Sequence, residues 1–270
     1  MCFVAVALGV HPEFPLILAA NRDEYFARAT EPLACWRTSP AIAAGRDLSA
    51  GGTWLGLSQE GRFAALTNCR TKTVSSMPGS KSRGTIVRDF LLGHEVMLEA
   101  VATGTLAHHS AYGGFNLIAG TPFRISILSN ATKTHTQETS GVFVLSNCPP
   151  ESQWAKTRVG QGRFSETLSS ALSEEDLKDE LFLLLSDAQP LEVSSDPSED
   201  DNPLRLVQNL IFVKGVEYGT RASSVILIHR DRHAVFFERT FDNLGGLVAE
   251  TAVDLNLKLQ PETHLTPADR

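Results

Sequence analysis

The second residue of the chain, Cys2, is the first candidate for chemistry. Methionine aminopeptidases remove Met1 when the next residue is small, so we expect a mature chain that begins with a thiol and a free α-amine on one residue. An α-amine titrates at about pH 8 and can take up the thiol proton at neutral pH. A base beside a thiol is the usual arrangement for attack on a carbonyl carbon. The alternative is that Cys2 is a small apolar strand residue, because cysteine is often buried for packing alone.

A charged run, Asn-Arg-Asp-Glu at positions 21–24, is the second candidate. It follows a predicted strand at 15–20, which we expect to pair as a hairpin with the predicted strand at 2–9. The hairpin would return the run to the side of the thiol. The carboxylate of Asp23 could then hold and orient the α-amine, while Arg22 could balance local negative charge. A charged turn is the alternative interpretation.

Three polar residues near the ends of later strands complete the candidate site. Asn68 follows the strand RFAALT, and Asn147 closes the strand in VLSNCPP. Asparagine side chains and backbone N–H groups are suitable donors for an oxyanion, although asparagine also commonly ends strands. Arg221 precedes an apolar strand, where it could support the site electrostatically or lie on the surface.

The elements that must position these residues are mostly strands in hairpins. Periodicity predicts strands at 2–9, 15–20, 53–58, 62–67, 115–119, 124–129, 142–146, 210–213, 223–229 and 233–239. It predicts helices from about 82 through IVRDFLL, at 95–102, at 163–172 and at 174–186, the last with Ser173 as N-cap. This order favours antiparallel sheets with segregated helices, an α+β architecture. We expect residues 194–203 to form a solvated loop and the tail at 260–270 to be loosely held.

The composition excludes several classes of protein. The 270 residues carry 24 Lys and Arg against 31 Asp and Glu, a net charge of −7, and 42% of them are hydrophobic. No basic run offers a footprint for nucleic acid, and the apolar content is too high for a disordered chain. No stretch approaches the roughly 20 apolar residues of a membrane span, and no basic leader precedes the apolar start. We expect a cytoplasmic protein without a nucleic-acid partner or a transmembrane segment.

The motifs, taken together, resemble a known family. They are MC at the start, LAANRDEYF, GGTWLGLSQEGRFAALTN, SRG, GFNLI, LSN followed by W-x-K, and YGTR, and they span residues 1–230 in order. This combination is similar to that of the NRDE-motif family, the transport and Golgi organisation protein 2 family. That family in turn resembles N-terminal nucleophile hydrolases of the bile-salt hydrolase and penicillin V acylase type. The resemblance implies a four-layer αββα sandwich of two antiparallel sheets flanked by helices, with residues 1–270 as a single domain.

The resemblance also implies roles for individual residues. Cys2 matches the hydrolase nucleophile, and Asp23 matches the acid of an Asn-x-Asp segment that contacts the α-amine, with Asn21 at the asparagine. Asn68 matches the asparagine that follows the first glycine-rich hairpin. Asn147 matches an oxyanion donor.

Arg221 matches the late active-site arginine of the hydrolases, but a second arginine position departs from their pattern. The hydrolases carry an arginine immediately before the asparagine of Asn-x-Asp, and this chain has Ala20 there. Arg22 lies close by, although we expect its side chain to leave the opposite face of the strand. The departure concerns the electrostatics on the substrate side of the site, and it is the reason to consider a non-catalytic protein that binds a ligand in the same cleft.

Four further residues are candidates for contact with a substrate. Asn21 and Arg22 belong to the charged run, Trp54 lies in the glycine-rich segment GGTWLG, and Arg83 lies in SKSRG, where it could anchor an anionic group. Core packing is the alternative role for Trp54, as it is for Trp36.

The remaining cysteines and histidines suggest no metal site. Cys35 and Cys69 are interpreted as packing residues, and the absence of a CxxC pair argues against zinc. Cys148, before a proline, resembles short Cys-Pro motifs that ligate haem, although a strand-ending turn is the simpler interpretation. His229 and His233 straddle a hairpin turn without an acid or cysteine to complete a metal set.

Two functions of different class remain open. The first is hydrolysis of a non-peptide carbon–nitrogen bond, an amidase reaction with Cys2 as nucleophile and no cofactor. The second is non-catalytic binding or trafficking of haem, an acyl thioester or another lipid in the same cleft. Both take a small acyl or hydrophobic anionic ligand, and neither specifies the oligomeric state.

Overall fold

Two antiparallel β-sheets dominate the computed structural model, which describes residues 2–69, 81–94, 112–152, 154–170, 173–191 and 208–259. In chain order the strands of these residues are β1 (Phe3–Leu8), β2 (Leu16–Tyr25), β3 (Thr30–Trp36), β4 (Ile42–Asp47), β5 (Leu55–Ser58), β6 (Phe63–Asn68), β7 (Phe115–Gly120), β8 (Ile125–Ser129), β9 (Thr134–Glu138), β10 (Gly141–Leu145), β11 (Tyr218–Ile228), β12 (His233–Phe241) and β13 (Leu247–Asn256). The helices are α1 (Gly84–Leu91), α2 (Ala155–Ser170) and α3 (Glu174–Leu185).

The strand order separates the chain into a six-stranded and a seven-stranded sheet. The first runs β10-β1-β2-β11-β12-β13, so the N-terminal hairpin lies in its interior, and the second runs β3-β4-β5-β6-β7-β8-β9. In the predicted hairpin of β1 and β2, Phe3 lies opposite Asn21 and Leu8 opposite Leu16. This register brings the start of β1 and the charged end of β2 to the same edge of the sandwich.

The layers follow from which faces of the strands are apolar. Leu16, Leu18 and Ala20 of β2 face the core between the two sheets. Ile17 and Ala19 face the opposite way and pack against α2 and α3. Helix α1 covers the outer face of the seven-stranded sheet through its own apolar side. The order is therefore helix, sheet, sheet, helix, which confirms the predicted α+β class and its αββα layering.

Helix α3 begins where the sequence predicts. The side chain of Ser173 accepts a hydrogen bond from the Asp176 N–H, and the first turn carries three acids that complement the helix dipole. Helix α2 instead begins at Ala155, eight residues before the predicted start at 163. Gly160 lowers helix propensity there, but a Cβ at this position would lie 2.5 Å from the ring of Phe3. The glycine thus permits α2 to lie close against β1.

The largest errors of sequence reading concern strands with polar or mixed sequences. The sequence did not predict β3, β4, β9 and β13. Of these, β9 and β13 are largely exposed, so these two lack the apolar alternation that marks a half-buried strand. Residues 210–213 are not a strand, although all but the first are buried. β2 extends through residue 25 because its charged end pairs with β11, which itself begins at residue 218, five residues before the prediction.

Some predictions fall on residues outside those described. They are the helix at 95–102, the loop at 194–203 and the tail at 260–270. Among the described residues, none of the helices combines the length and the apolar character that crossing a membrane requires.

We predict that two leucines of α3 differ strongly in their effect on stability. Leu181 is fully buried between α3 and the six-stranded sheet, whereas Leu183, two residues later, is 64% exposed. Leu181→Ala should lower the free energy of unfolding by about 2–5 kcal/mol, since it removes buried contacts and leaves a cavity. Leu183→Ala is the matched control and should change it by less than about 0.5 kcal/mol. Urea denaturation of both variants measures the difference, and equal effects would contradict this packing.

Candidate active site

A cavity of about 320 Å³ opens at the edge of the sandwich where the thiol lies. This volume is at the lower end of the range for small-molecule sites. Its walls come from both sheets and from the start of α1, and they include six of the nine predicted site residues: Cys2, Arg22, Asp23, Trp54, Asn68 and Arg83. The wall is mainly polar, so the cavity is suited to a ligand with charged or hydrogen-bonding groups.

Cys2 is held at the cavity by its own backbone. The Cys2 N–H donates to Oδ1 of Asn147, and the Ser146 hydroxyl donates to the Cys2 carbonyl at 2.9 Å. The amide nitrogen of Asn147 donates in turn to the carbonyl of Asn68 at 2.5 Å. Only one orientation of the Asn147 amide satisfies a donor on one side and an acceptor on the other. Asn147 itself is buried behind the cavity wall, where it joins Cys2 to Asn68.

The segment that carries Asn147 is fixed by a buried polar network that sequence reasoning missed. Thr67 of β6 donates its hydroxyl to the Ser146 carbonyl at 2.6 Å. Asn116 of β7 donates to the same carbonyl at 2.8 Å and to the Cys148 carbonyl at 2.7 Å. These bonds tie the seven-stranded sheet to the strand end beside β1. The motif GFNLI, which contains Asn116, was recognised only as part of the family pattern.

Asp23 lies beside a buried lysine. Its Oδ2 is 3.4 Å from Nζ of Lys156 on α2, and both side chains have no solvent exposure. Its Oδ1 accepts the hydroxyl of Thr220 at 2.6 Å. The W-x-K motif that contains Lys156 carried the family resemblance, but a lone lysine gave no signal for a buried ion pair.

The charged run divides between the two faces of β2. Because strand side chains alternate, Arg22 continues the row of Ala20 toward the inter-sheet side, and its side chain lines the cavity. The expectation that Arg22 leaves the opposite face was therefore wrong, since positions two apart share a face. Asn21 points toward the helices, where its amide donates to the carbonyls of Leu185 and Ile211. Asn21 is thus a structural residue rather than part of the cavity wall.

Arg22 is held in place by an aromatic ring and a carboxylate. Its guanidinium carbon lies 4.2 Å from the centre of the Trp54 ring, and one of its nitrogens is 3.8 Å from Glu24. Burial lowers the pKa of Arg22 from its usual value, while the nearby charges of Glu24 and Cys2 act in the opposite direction. Gly45 leaves room for the ring, because a Cβ there would lie 2.5 Å from Trp54.

Arg221 is not part of the cavity wall. The pairing of β11 with β2 shifts between Thr220 and Ala222, so Arg221 is the extra residue of a β-bulge. Its guanidinium donates to the carbonyls of Tyr25 and Arg28 in the turn after β2. The arginine predicted for the active site therefore supports the turn beside the cavity.

Other charges complete the wall. Arg28 donates to Asp47 at 2.6 Å, and this hydrogen bond raises the pKa of Arg28. Arg83 donates to the Gly114 carbonyl at 3.0 Å and lines the cavity with Lys81, which is exposed. Cations therefore face the cavity from β2 on one side and from the start of α1 on the other.

The other three cysteines differ from Cys2 in their surroundings. Cys69 and Cys148 are buried, and burial raises the pKa of each thiol to about 11, which disfavours the reactive thiolate. The thiol of Cys148 is directed at the Ser152 carbonyl. Cys35 is exposed on β3, so its interpretation as a packing residue was wrong.

His229, His233 and Trp36 do not line the cavity. The rings of His229 and His233 are 5.2 Å apart, but each nitrogen Nε2 faces a different acid, Glu174 and Asp254 respectively. The described residues contain no group of three potential metal ligands. Trp36 is buried and donates its indole N–H to the Ala44 carbonyl.

A buried carboxyl lies behind Arg22, in the core between the sheets. Glu238 of β12 is 2% exposed and accepts the Leu33 N–H of β3 at 2.6 Å, so it links the two sheets. Burial raises the pKa of Glu238 to about 7, against the opposing effects of the Leu33 hydrogen bond and of Arg22. Sequence periodicity alone gave no sign of a glutamate in this core.

Comparison with known sequences identifies relatives over nearly the whole chain. A family model described as Transport and Golgi organisation 2 matches residues 1–243. The Homo sapiens protein called Transport and Golgi organization protein 2 homolog is 32% identical over 263 residues, which cover 89% of this chain and 93% of that protein.

Two solved structures resemble the fold at low sequence identity. The Caenorhabditis elegans N-acylethanolamine-hydrolyzing acid amidase ortholog is 12% identical with a TM-score of 0.47, covering 84% of this chain and 92% of that one. A mutant of conjugated bile acid hydrolase from Clostridium perfringens is 10% identical with a TM-score of 0.45, covering 95% of this chain and 93% of that one. Likeness at this level says nothing about the reaction of the site.

We predict that Glu238 makes the stability of the protein fall as pH rises. The folded state holds the Glu238 proton up to about pH 7, whereas the unfolded chain releases it near the ordinary value of 4.5. Between these values the folded state binds more protons than the unfolded chain. The contribution of Glu238 to the free energy of unfolding is therefore most favourable below pH 4.5 and is lost as the pH rises toward 7. Glu238→Gln keeps an acceptor for Leu33 and removes this loss.

Urea unfolding of both proteins between pH 5 and pH 8 checks the sign. The stability advantage of Glu238→Gln should grow with pH by at most roughly 3 kcal/mol. Glu175→Gln on α3 is the control, because it makes the same chemical change at a carboxylate that is 82% exposed. Its free energy of unfolding should follow that of wild type across the pH range. A difference between wild type and Glu238→Gln that does not change with pH would contradict the prediction.

Proposed function

The chain belongs to the Transport and Golgi organisation 2 family, and we propose that it hydrolyses a non-peptide carbon–nitrogen bond with Cys2 as nucleophile. The observation that carries the proposal is the way the chain start is held at the cavity. The Cys2 N–H is bound by Asn147, which is itself bound to Asn68 at the cavity wall. A packing cysteine would need neither the cavity nor this polar support.

The reaction begins with removal of Met1, which leaves the α-amine and the thiol on Cys2. The amine takes the thiol proton, and the sulfur attacks the acyl carbon of an amide. As the tetrahedral intermediate collapses, the carbon–nitrogen bond breaks and the proton passes from the ammonium to the leaving amine. Water then attacks the thioester, which releases the acid and returns the proton to the thiol.

The oxyanion of the intermediate needs hydrogen-bond donors near Cys2. We assign this role to the backbone N–H of Asn68, which lines the cavity, and to the amide of Asn147, which is buried behind the wall. One N–H of the Asn147 amide is used by the Asn68 carbonyl, but the amide carries a second N–H. Each such donor typically contributes about 3 kcal/mol to stabilisation of the transition state.

The charges of the wall favour an acyl group with an anionic substituent. Arg22, Lys81 and Arg83 face the cavity. The carboxylates of the wall are paired as well, that of Glu24 with Arg22, that of Asp23 with Lys156 and that of Asp47 with Arg28, and Lys81 and Arg83 are further cations of the wall. Trp54 offers an apolar surface beside Arg22. A small hydrophobic acyl chain that ends in a negative charge fits this combination.

We predict that Cys2→Ala abolishes hydrolysis. A panel of fluorogenic N-acyl arylamides, with neutral and with dicarboxylic acyl groups, supplies the assay, and intact mass verifies that Met1 is absent. Cys2→Ala should lower the rate by more than about 1,000-fold, since it removes the nucleophile. Cys35→Ala, which removes an exposed thiol on β3, is the matched control and should leave the rate unchanged.

Covalent capture gives a second measurement of the same prediction. Incubation with p-nitrophenyl esters should add one acyl group to the Cys2 peptide. In Cys2→Ser the corresponding adduct should form more slowly, because a serine hydroxyl is a poorer nucleophile than a thiolate. Hydrolysis that survives in Cys2→Ala would overturn the proposal.

The second candidate is non-catalytic binding of a hydrophobic anion, such as haem or an acyl thioester. The cations of the cavity wall favour this candidate as much as the first. For haem, Cys148 would be a poor ligand, because its thiol is buried and directed at the Ser152 carbonyl.

We predict that ligand binding in Cys2→Ala separates the two candidates. Under the binding function, a saturable absorbance change on titration with haem, or saturable binding of a fluorescent acyl thioester, should persist in Cys2→Ala. Binding should weaken about tenfold in Arg22→Met, which keeps contact with Trp54 but removes the charge. Binding that persists in Cys2→Ala, together with no acyl capture in wild type, would favour the binding function over hydrolysis.

A further inference from the structure

The buried lysine on α2 contacts the carboxylate of Asp23, one of the two acids of the charged run. Nζ of Lys156 lies 3.4 Å from Oδ2 of Asp23, and neither side chain is exposed to solvent. The family resemblance gives Asp23 the role of contacting the α-amine, and it gives no role to Lys156. A lysine with no solvent exposure requires a compensating charge, and Asp23 supplies it.

Each carboxylate oxygen of Asp23 accepts a hydrogen bond. The Thr220 hydroxyl oxygen accepts the Val213 N–H at 2.9 Å, so its own hydrogen is directed at Oδ1 of Asp23, 2.6 Å away. Lys156 donates to the other oxygen, Oδ2. Both carboxylate oxygens therefore accept a hydrogen bond, and the negative charge of Asp23 is paired with the ammonium of Lys156.

The sheet register places this pair next to the chain start. Phe3 lies opposite Asn21, so Cys2 comes opposite Arg22, one residue from Asp23. Cys2 and Asp23 also line the same cavity. The free α-amine of Cys2 therefore titrates within the electrostatic field of Asp23.

We propose that Lys156 is a positioning residue that sets the basicity of the Cys2 α-amine by balancing the charge of Asp23. This inference rests on the proposed function, in which the amine is the general base. An unbalanced carboxylate would favour the ammonium form, which cannot accept a proton. With Lys156 in place the ion pair is neutral overall, so a larger fraction of the amine is free at neutral pH.

Other charged groups of the cavity act on the amine as well. The cations that line the wall are Arg22, Arg28, Lys81 and Arg83, and the further carboxylates are Glu24 and Asp47. The thiol of Cys2 is the nearest titratable group. All of these groups except the thiol are left unchanged in the variants below, so that differences report on Asp23 and Lys156 alone.

The test measures the α-amine directly, in full-length protein with Cys2→Ala as the parent. Alanine still permits removal of Met1, and loss of the thiol leaves the amine to titrate by itself. Acetic anhydride reacts with the unprotonated amine and not with the ammonium form. The acetylated fraction of the N-terminal peptide, followed by mass spectrometry against pH, gives the midpoint of its titration.

Lys156→Met in this parent should move the midpoint to higher pH by about one unit, because the carboxylate of Asp23 then loses the balancing charge of Lys156. Lys156→Arg keeps the charge and should restore the midpoint of the parent. A lysine with a purely structural role would instead lower thermal stability and leave the midpoint unchanged. That result, in folded protein, would overturn the inference.

A second set of variants is independent of whether Lys156→Met folds, since breaking a buried ion pair destabilises a protein. Asp23→Asn should lower the midpoint, because the lysine charge is then unopposed. Asp23→Asn combined with Lys156→Met removes both charges and should return the midpoint to that of the parent. A double variant that differs from the parent by as much as Asp23→Asn would also overturn the inference.

The readout separates this inference from the proposed function. The midpoint of the amine titration is measured without substrate and without the thiol. The amidase proposal is tested by a different measurement, the rate of hydrolysis in Cys2→Ala. Each failure therefore appears in a different measurement.

Discussion

The alternation of side chains along β2 is the constraint on which the candidate site depends. This strand is central in its sheet, so one face must pack against the second sheet and the other against helices. The alternation carries Arg22 toward the cavity, and it carries Asn21 and Asp23 toward the helix layer. A run of four polar residues can stay in a buried strand only because each face supplies its own partners. Those partners are an aromatic ring and a carboxylate on one side, and carbonyl groups and an ammonium on the other.

A second requirement is that the two sheets be joined at the cavity by hydrogen bonds rather than by apolar packing. Thr67 and Asn116 of one sheet donate to the strand end of the other, and that strand end holds the backbone of Cys2 on both sides. Buried polar groups of this kind are unfavourable unless all partners are present. The network therefore fixes the position of Cys2 more narrowly than a hydrophobic contact would, at some expense in stability.

Much of the fold could be predicted from sequence, because its buried strands are apolar and occur in hairpins. The N-terminal hairpin, the cap of α3 by Ser173 and the layer order followed from periodicity and from the family motifs. The side-chain partners in the site could not be predicted, since they depend on contacts between distant elements. Lys156 reaches Asp23 from another layer, and the bulge at Arg221 depends on how β11 pairs with β2. No local pattern encodes either feature, so the roles expected for Asn21 and Arg221 came from motif position alone.

The position of Arg22 bears on the choice between hydrolysis and binding. The absence of an arginine at Ala20 was the argument from sequence for a non-catalytic protein, because the hydrolases have an arginine there. Arg22 lies on the same face, two residues along the strand, which is about 7 Å. Its guanidinium still lines the cavity, stacked on Trp54. An arginine therefore lines the cavity although position 20 is alanine, so the alanine alone does not favour binding over hydrolysis. What distinguishes the two functions is the state of the chain start, because only a free amine beside the thiol makes Cys2 a nucleophile rather than a wall residue.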